Sequence, residues 1–208
     1  LLRKELKLST AIENIWVQHR NEVIGGLNSI DMHQFQKAAD IICEAIKTRK
    51  NIYTIGNGAS ASIAQHWACD YTKGCSNLNP DEGNFLKVRV HSLAANIPLM
   101  TAISNDISYD EVYSYQIERL GNPGDVLITI SSSGNSPNVV RAIEAAMKEK
   151  MHVITLTGFA GGKSKQMAED YFHGVNIHVD CPEYEAAEDV HQAIMHMIAK
   201  YIRQKFWA

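Results

Sequence analysis

The stretch that most constrains this chain is residues 125–136, Asp-Val-Leu-Ile-Thr-Ile-Ser-Ser-Ser-Gly-Asn-Ser. Residues 125–130 form an apolar run with no charge after Asp125, the pattern of a strand buried on both faces of a parallel sheet. Ser131, Ser132, Ser133, Gly134, Asn135 and Ser136 follow at once, and Pro137 opens an amphipathic helix to about residue 148. Ser136 as N-cap and a proline in the first helical turn mark the start of that helix. This order gathers unpaired helix N–H groups, the positive end of the helix dipole and several small hydroxyls at one spot, where an anion would sit. A phosphate ester is the first ligand it suggests. No Gly-Lys-Ser/Thr follows, which disfavours a nucleoside triphosphate.

A Ser/Gly turn alone can simply cap a helix; a second turn of the same kind gives it weight. Residues 51–55 read as the first strand, which runs into Gly56-Asn57-Gly58-Ala59-Ser60 ahead of a helix over 61–72. The third glycine of a dinucleotide fingerprint is missing, since position 61 is Ala, and no acidic residue ends a second strand about 20 residues on. A nicotinamide site is therefore disfavoured.

Upstream, residues 1–27 read as one long helix whose apolar stripe (Ile12, Ile15, Trp16, Val23) suggests packing against another subunit. Asp31 caps a second helix over 32–48 with Phe35, Ala38, Ala39, Ile42 and Ile46 inward. Residues 75–84 read as a polar loop, 88–93 as a strand, 97–104 as a short helix, Asn105-Asp106 as a turn and 109–120 as a helix. Beyond the central strand come a strand at 152–157, a helix at 163–169, a strand at 175–179 and a long closing helix at 182–206. Five strands each followed by a helix predict an alternating α/β layer around a parallel sheet, with ligands beyond the C-terminal strand ends, where both Ser/Gly turns fall.

The totals restrict the function classes. At 208 residues the chain is the size of one domain, and a net charge of −3 without a Lys/Arg run gives no reason for nucleic acid. No apolar stretch of about 18 residues and no signal-peptide pattern occurs, so a soluble cytoplasmic protein is expected. Cys43, Cys69, Cys75 and Cys181 show no C-x-x-C spacing and read as reduced thiols, Cys69 as a core residue.

Two pairs of residues carry possible chemistry. His66 and Asp70 are four apart on the helix after the first turn; Glu188 and His196 are eight apart on the closing helix, with Gln192 between them. Each pair projects from one helix face, so two helices could gather a His, Asp, Glu, His set of the kind that suits Zn²⁺ or another divalent ion. Equally, His66 beside Trp67 and His196 in an Ile/Met stripe could be ordinary helix residues. His191 lies off the Glu188/His196 face and is a secondary candidate.

Gly56-Asn57-Gly58-Ala59-Ser60, Asn105-Asp106, Gly124-Asp125-Val126-Leu127, Ile130 through Ser136 and Thr155-Leu156-Thr157-Gly158 resemble the sugar isomerase (SIS) domain across nearly the whole chain. Within it, His66 with Asp70 and Glu188 with His196 resemble the phosphoheptose isomerases. The resemblance implies a single SIS domain over residues 1–208: a three-layer α/β sandwich with a five-stranded parallel sheet, long N- and C-terminal helices, and a helical pair at 1–50 used in oligomer packing. It implies a cytoplasmic homotetramer with sites between subunits, isomerising sedoheptulose 7-phosphate to D-glycero-D-manno-heptose 7-phosphate through an enediol, with no nucleic acid or membrane partner. Ser131, Ser132, Ser133 and Ser136 would hold the phosphate, with Asn57 and Ser60 lining the same site and Asp106 and Glu185 contacting the sugar. Asp70 would be the base and His196 the acid, with His66, Asp70, Glu188 and His196 around a divalent metal such as Zn²⁺. This chain departs from the family pattern in having Asp70 for Glu and Glu188 for Gln; Glu188 could stand in as base or contact the substrate. Two alternatives are a non-catalytic tetramer resembling the SIS protein that binds the bacterial replication initiator, and a phosphosugar-sensing module.

Overall fold

After an N-terminal helical pair, apolar runs and amphipathic stretches alternate as strands and helices. The computed structural model describes residues 2–76 and 86–207, residues 2–9 by their backbone alone. α1 is Leu2–Asn28 and α2 is Met32–Lys47; then come β1 (Ile52–Gly56), α3 (Ala59–Cys69), β2 (Val90–Ser92), α4 (Ile97–Asp106), α5 (Ser114–Leu120) and β3 (Val126–Ser131). The chain closes with α6 (Pro137–Lys148), β4 (His152–Thr157), α7 (Gly162–Asp170), β5 (Gly174–His178) and α8 (Tyr184–Trp207). A π-helical turn at Asp70–Gly74 prolongs α3, and a 3-10 turn at Tyr109–Glu111 precedes α5. Of the loop expected at 75–84, residues 77–84 lie outside the described residues.

The strands pair in the order β2-β1-β3-β4-β5, all parallel. The chain steps outward from β1 to β2 and then returns to the other side of β1, so the order reverses between β1 and β3, the point where open α/β sheets take their ligands beyond the strand ends. The register runs from Ile52 opposite Val126 to Gly56 opposite Ile130, which brings Asn57 alongside Ser131.

Side chains alternate along β3 as a period of two demands. Val126, Ile128 and Ile130 join α2, α3 and α8 on one face through Ile42, Ala64, Trp67 and Ile194. Leu127 faces the other layer, where Tyr53, Ile55 and Val153 meet Ile117, Val139 and Ile143 of α5 and α6. Polar groups lock the layers. The buried Asp125 carboxylate accepts the backbone N–H of Asn51 at 2.8 Å and of Asn122 at 3.1 Å, fixing the start of β3 to the start of β1. Thr54 Oγ1 donates to the Ala64 carbonyl at 2.8 Å, holding α3 on β1, and the buried Tyr113 hydroxyl donates to the Gly56 carbonyl.

Asn105 and Asp106 form the last residues of α4 rather than a turn, because the helix ends only where Ile107 leaves helical geometry at φ −123°. The helix expected over 109–120 divides, with Val112 and Tyr113 buried between the 3-10 turn and α5. Cys69 is exposed, which corrects its assignment to the core, and all four cysteines are free thiols. On α1, Ile12, Ile15 and Trp16 are all more than 60% exposed, and Val23 packs against the core. Among the described residues no helix is long and apolar enough to cross a membrane.

His191 turns into the core of α8 at 0% exposure, and its ring nitrogens meet no hydrogen-bond partner of good geometry among the described residues. Burial is the main cause pushing its imidazole down to about 4; the Thr157 backbone opposes the shift and His178 adds to it. Its folded-state value lies below the unfolded one, so the stability it allows is complete above pH 6.5 and is lost as pH falls towards 4. From this group alone the protein should lose about 1.4 kcal/mol per pH unit in that window, or about 3 kcal/mol in all. Urea denaturation of the natural chain and of His191→Met between pH 4 and 7 checks this; the natural chain should show the steeper loss.

Candidate active site

The anion-binding end of the site is built from backbone. β1 and β3 deliver their turns side by side, and two glycines permit the approach. A Cβ at Gly56 would lie 2.6 Å from the Ser60 carbonyl group, so only glycine lets α3 begin directly against the strand end. Gly134 has φ +64°, and a Cβ there would lie 1.9 Å from the Gly161 carbonyl oxygen. The serine turn is then moored to the turn after β4: Gly158 N–H donates to Ser132 O at 2.8 Å, Ser164 N–H to Gly134 O at 2.9 Å, and Lys163 N–H to Asn135 Oδ1 at 3.1 Å.

Ser136 is the N-cap of α6 with extended geometry, yet its hydroxyl makes no capping bond. Ser60, Ser131 and Ser132 are buried, and Ser132 Oγ has no partner among the described residues. The Ser136 hydroxyl, partly exposed at the helix N-terminus and not engaged in capping it, remains available to an incoming oxyanion. Asn57 joins the two turns. Its amide and that of Asn138, in the first turn of α6, exchange two hydrogen bonds of 2.9 Å, and the Tyr109 hydroxyl donates to Asn57 Oδ1 at 2.9 Å.

The second cluster lies where α3 passes into its π turn and meets α8. His66 Nε2 is 3.3 Å from Asp70 Oδ1, and His196 Nε2 is 3.7 Å from Asp70 Oδ2, so one carboxylate faces two imidazoles. The two rings meet edge to face at 5.2 Å. The Gln192 amide stands 2.5 Å from His66 Nδ1 and 3.3 Å from His196 Nε2. All four side chains are partly exposed, so a ligand can reach them. Beneath them the stacked rings of Trp67 and Tyr71 are fully buried, and the Tyr71 hydroxyl donates to the Met195 carbonyl, tying the π turn to α8.

The donor set fits a divalent cation. His66, Asp70 and His196 each offer a ligand atom within 4.8 Å of the others. A tetrahedral ion with bonds of about 2.1 Å has donor-to-donor edges of roughly 3.4 Å, comparable with the His–Asp contacts, which run to different oxygens of the one carboxylate. Gln192 can turn its amide oxygen into the same space as a fourth donor. Glu188 is not in this group; it lies more than two helical turns before His196, beside Glu185 and Asp189. Burial, then those two carboxylates, pushes its carboxyl up. Glu185 is exposed and lines a cavity of 390 Å³ with Ile15, Gln18, His19 and Glu22 of α1. Asp106 is exposed at the end of α4, three residues before Tyr109, and accepts from Asn105 Nδ2 at 2.8 Å.

The chain therefore brings Asn57, Ser60 and the serine turn to one end, and His66, Asp70 and His196 to another. Glu185 and Glu188, near the start of α8, are not part of the His66, Asp70 and His196 group. Sequence reasoning did not assign Tyr109, Asn138 or Gln192 to the site. Gln192 could have been found, since it lies four residues before His196 on the same helix face; Tyr109 and Asn138 carry no local signal.

Comparisons with known proteins find a family and a shared fold. A family profile described as the SIS domain matches residues 16–158. A probable phosphoheptose isomerase of Thermoplasma acidophilum is 37% identical over 172 residues, which cover 81% of this chain and 86% of the relative. The phosphoheptose isomerase of Alteromonas mediterranea is 36% identical over 80% of each chain. The structure of a phosphoheptose isomerase from Neisseria gonorrhoeae superposes with a TM-score of 0.82 at 31% identity, covering 95% of this chain and 99% of that one.

The contact of Gly134 with the Gly161 carbonyl is testable. Gly134→Ala should cost at least about 2 kcal/mol in chemical denaturation, from a disfavoured φ and a displaced backbone. The matched Gly25→Ala, in α1 with nothing within 4 Å of the added Cβ, should leave stability unchanged or raised.

Proposed function

The chain belongs to the SIS domain family and within it to the phosphoheptose isomerases, and from that premise we propose that it converts sedoheptulose 7-phosphate to D-glycero-D-manno-heptose 7-phosphate. The enzyme class is aldose–ketose isomerase. The observation that carries the reading is the Asp70 carboxylate set between His66 and His196. Neither the replication-initiator-binding alternative nor the sensor is favoured by the relatives.

The phosphate would sit on the hydroxyls of Ser131, Ser132, Ser133 and Ser136 and the N-terminus of α6, with Asn57 and Ser60 beside it. This anchors the end of the substrate that does not react. Asp70 would remove a proton from C1 of the ketose while His196 protonates the C2 carbonyl oxygen, giving the 1,2-enediol. Asp70 would then return the proton to C2 while His196, now neutral, takes the O1 hydroxyl proton as the aldehyde forms. Asp70 is one methylene shorter than the glutamate of the family pattern, and the His66 and His196 contacts support the shorter carboxylate. A divalent ion, Zn²⁺ first, would be held by the same His66, Asp70 and His196 with Gln192 alongside, and when bound would polarise the substrate oxygens in place of the proton from His196. The raised carboxyl of Glu188 suits a substrate contact or a second proton carrier. Asp106 and Glu185 would contact the sugar. A homotetramer with sites between subunits is the assembly this reading expects, supported by the exposed Ile12, Ile15 and Trp16 stripe. Residues 1–50 would serve that packing within a single SIS domain, in the cytoplasm.

Incubation with sedoheptulose 7-phosphate in D₂O, followed by NMR, should show aldose formation with deuterium at C2. A ketose recovered unchanged would sink the reading. Asp70→Asn should lower kcat by roughly 10²- to 10⁴-fold, with Glu188→Gln the milder change; the reverse ranking would move the base to Glu188. Chelation should reduce turnover and added Zn²⁺ restore it, and His66→Ala should weaken zinc binding measured by calorimetry.

A further inference from the structure

Asn57 has a committed carbonyl and a half-committed nitrogen. Its Oδ1 accepts from Asn138 Nδ2 and from the Tyr109 hydroxyl, and its Nδ2 donates to Asn138 Oδ1, each at 2.9 Å. A primary amide carries two N–H donors and an oxygen with two lone pairs. Both lone pairs are used, one N–H is used, and one N–H remains. The amide is planar and Asn138 occupies its inner edge, so the spare N–H lies on the edge opposite Tyr109. The pairing of Gly56 with Ile130 places this residue beside Ser131, at the head of the serine turn.

Turning both amides over would preserve the Asn57–Asn138 exchange. It would also put a carbonyl lone pair where the spare N–H now stands. An oxyanion is attracted by the first arrangement and repelled by the second. A phenol is a better donor than acceptor, so a tyrosine hydroxyl against Oδ1 favours the first. Asn138 is 1% exposed and cannot turn to water for other partners, whereas Tyr109 is about half exposed and reaches the pair from the rim.

We propose that Tyr109 is a positioning residue: by donating to Asn57 Oδ1 it holds the Asn57–Asn138 pair in the orientation that offers an N–H, not a carbonyl oxygen, to a phosphate on the serine turn. This rests on the reading that the turn takes the sugar phosphate. Asn57 would touch the ligand; Tyr109 acts through it.

The test compares the natural chain with Tyr109→Phe, Asn57→Ala and Ser132→Ala, using inorganic phosphate binding by ³¹P NMR titration alongside KM and kcat for sedoheptulose 7-phosphate. Tyr109→Phe should raise both the phosphate dissociation constant and KM by roughly 5- to 10-fold, with kcat within about twofold and the thermal midpoint unchanged. Asn57→Ala should do at least as much. If Asn57→Ala weakens phosphate binding and Tyr109→Phe does not, Tyr109 orients nothing and the proposal falls while the phosphate site stands. The proposal also falls if Tyr109→Phe lowers kcat and the thermal midpoint without changing phosphate binding, since Tyr109 is then only a structural tie. If Ser132→Ala and Asn57→Ala both bind phosphate as the natural chain does, the phosphate reading fails and the proposal fails with it. The phosphate titration does not depend on turnover, so it separates these outcomes from a loss of isomerase activity.

Discussion

Parallel pairing of β1 with β3, in register over five residues, decides where the rest of this molecule lies. The two strands are separated in sequence by a complete excursion through α3, β2, α4 and α5, yet they end at the same level. Their turns therefore emerge together. The Asp125 carboxylate fixes the start of that pairing, and the Asn57–Asn138 exchange closes its far end. Loss of register by one residue would reverse the facing of every β3 side chain and separate the two turns.

The two layers on this sheet take different parts of the chemistry. α6 and the 3-10 turn, on the Tyr53 and Leu127 face, supply Asn138 and Tyr109 to the anion end. α8 lies on the opposite face and supplies His196 and Gln192. α3 belongs to both, since its first turn flanks the switch point and its last reaches Asp70. From Ala59 to His66 the helix rises by about 10 Å. A ligand engaging both ends would need to be extended, as a seven-carbon sugar phosphate is.

What was legible in the sequence was what has a local cause. The central strand, its serine turn and the helix after Pro137 follow from periodicity, Gly, Pro and N-cap chemistry acting within a dozen residues, and all three stand where expected. The His66–Asp70 pair was legible because i, i+4 spacing on a helix is a local fact. Tyr109 and Asn138 were not, because their role exists only through Asn57, 52 and 81 residues away. Glu188 was grouped with the imidazoles by spacing on one helix face, and the cluster that forms holds His66, Asp70 and His196 without it. Cys69 was assigned inward because it points around the helix away from Asp70; the inner face of α3 is instead filled by Ile63, Ala64 and Trp67.

The π turn at Asp70–Gly74 gives the site a fixed bearing. A π turn closes wider hydrogen-bonded loops than an α turn, and such turns in proteins recur where function needs local geometry unlike that of the flanking helix. Here the junction falls at the residue that meets both imidazoles, while Trp67 and Tyr71, on either side of it, are stacked and sealed in the core. The aromatic pair carries the packing load around Asp70, so the carboxylate is presented to the two imidazoles from a backbone anchored by buried rings.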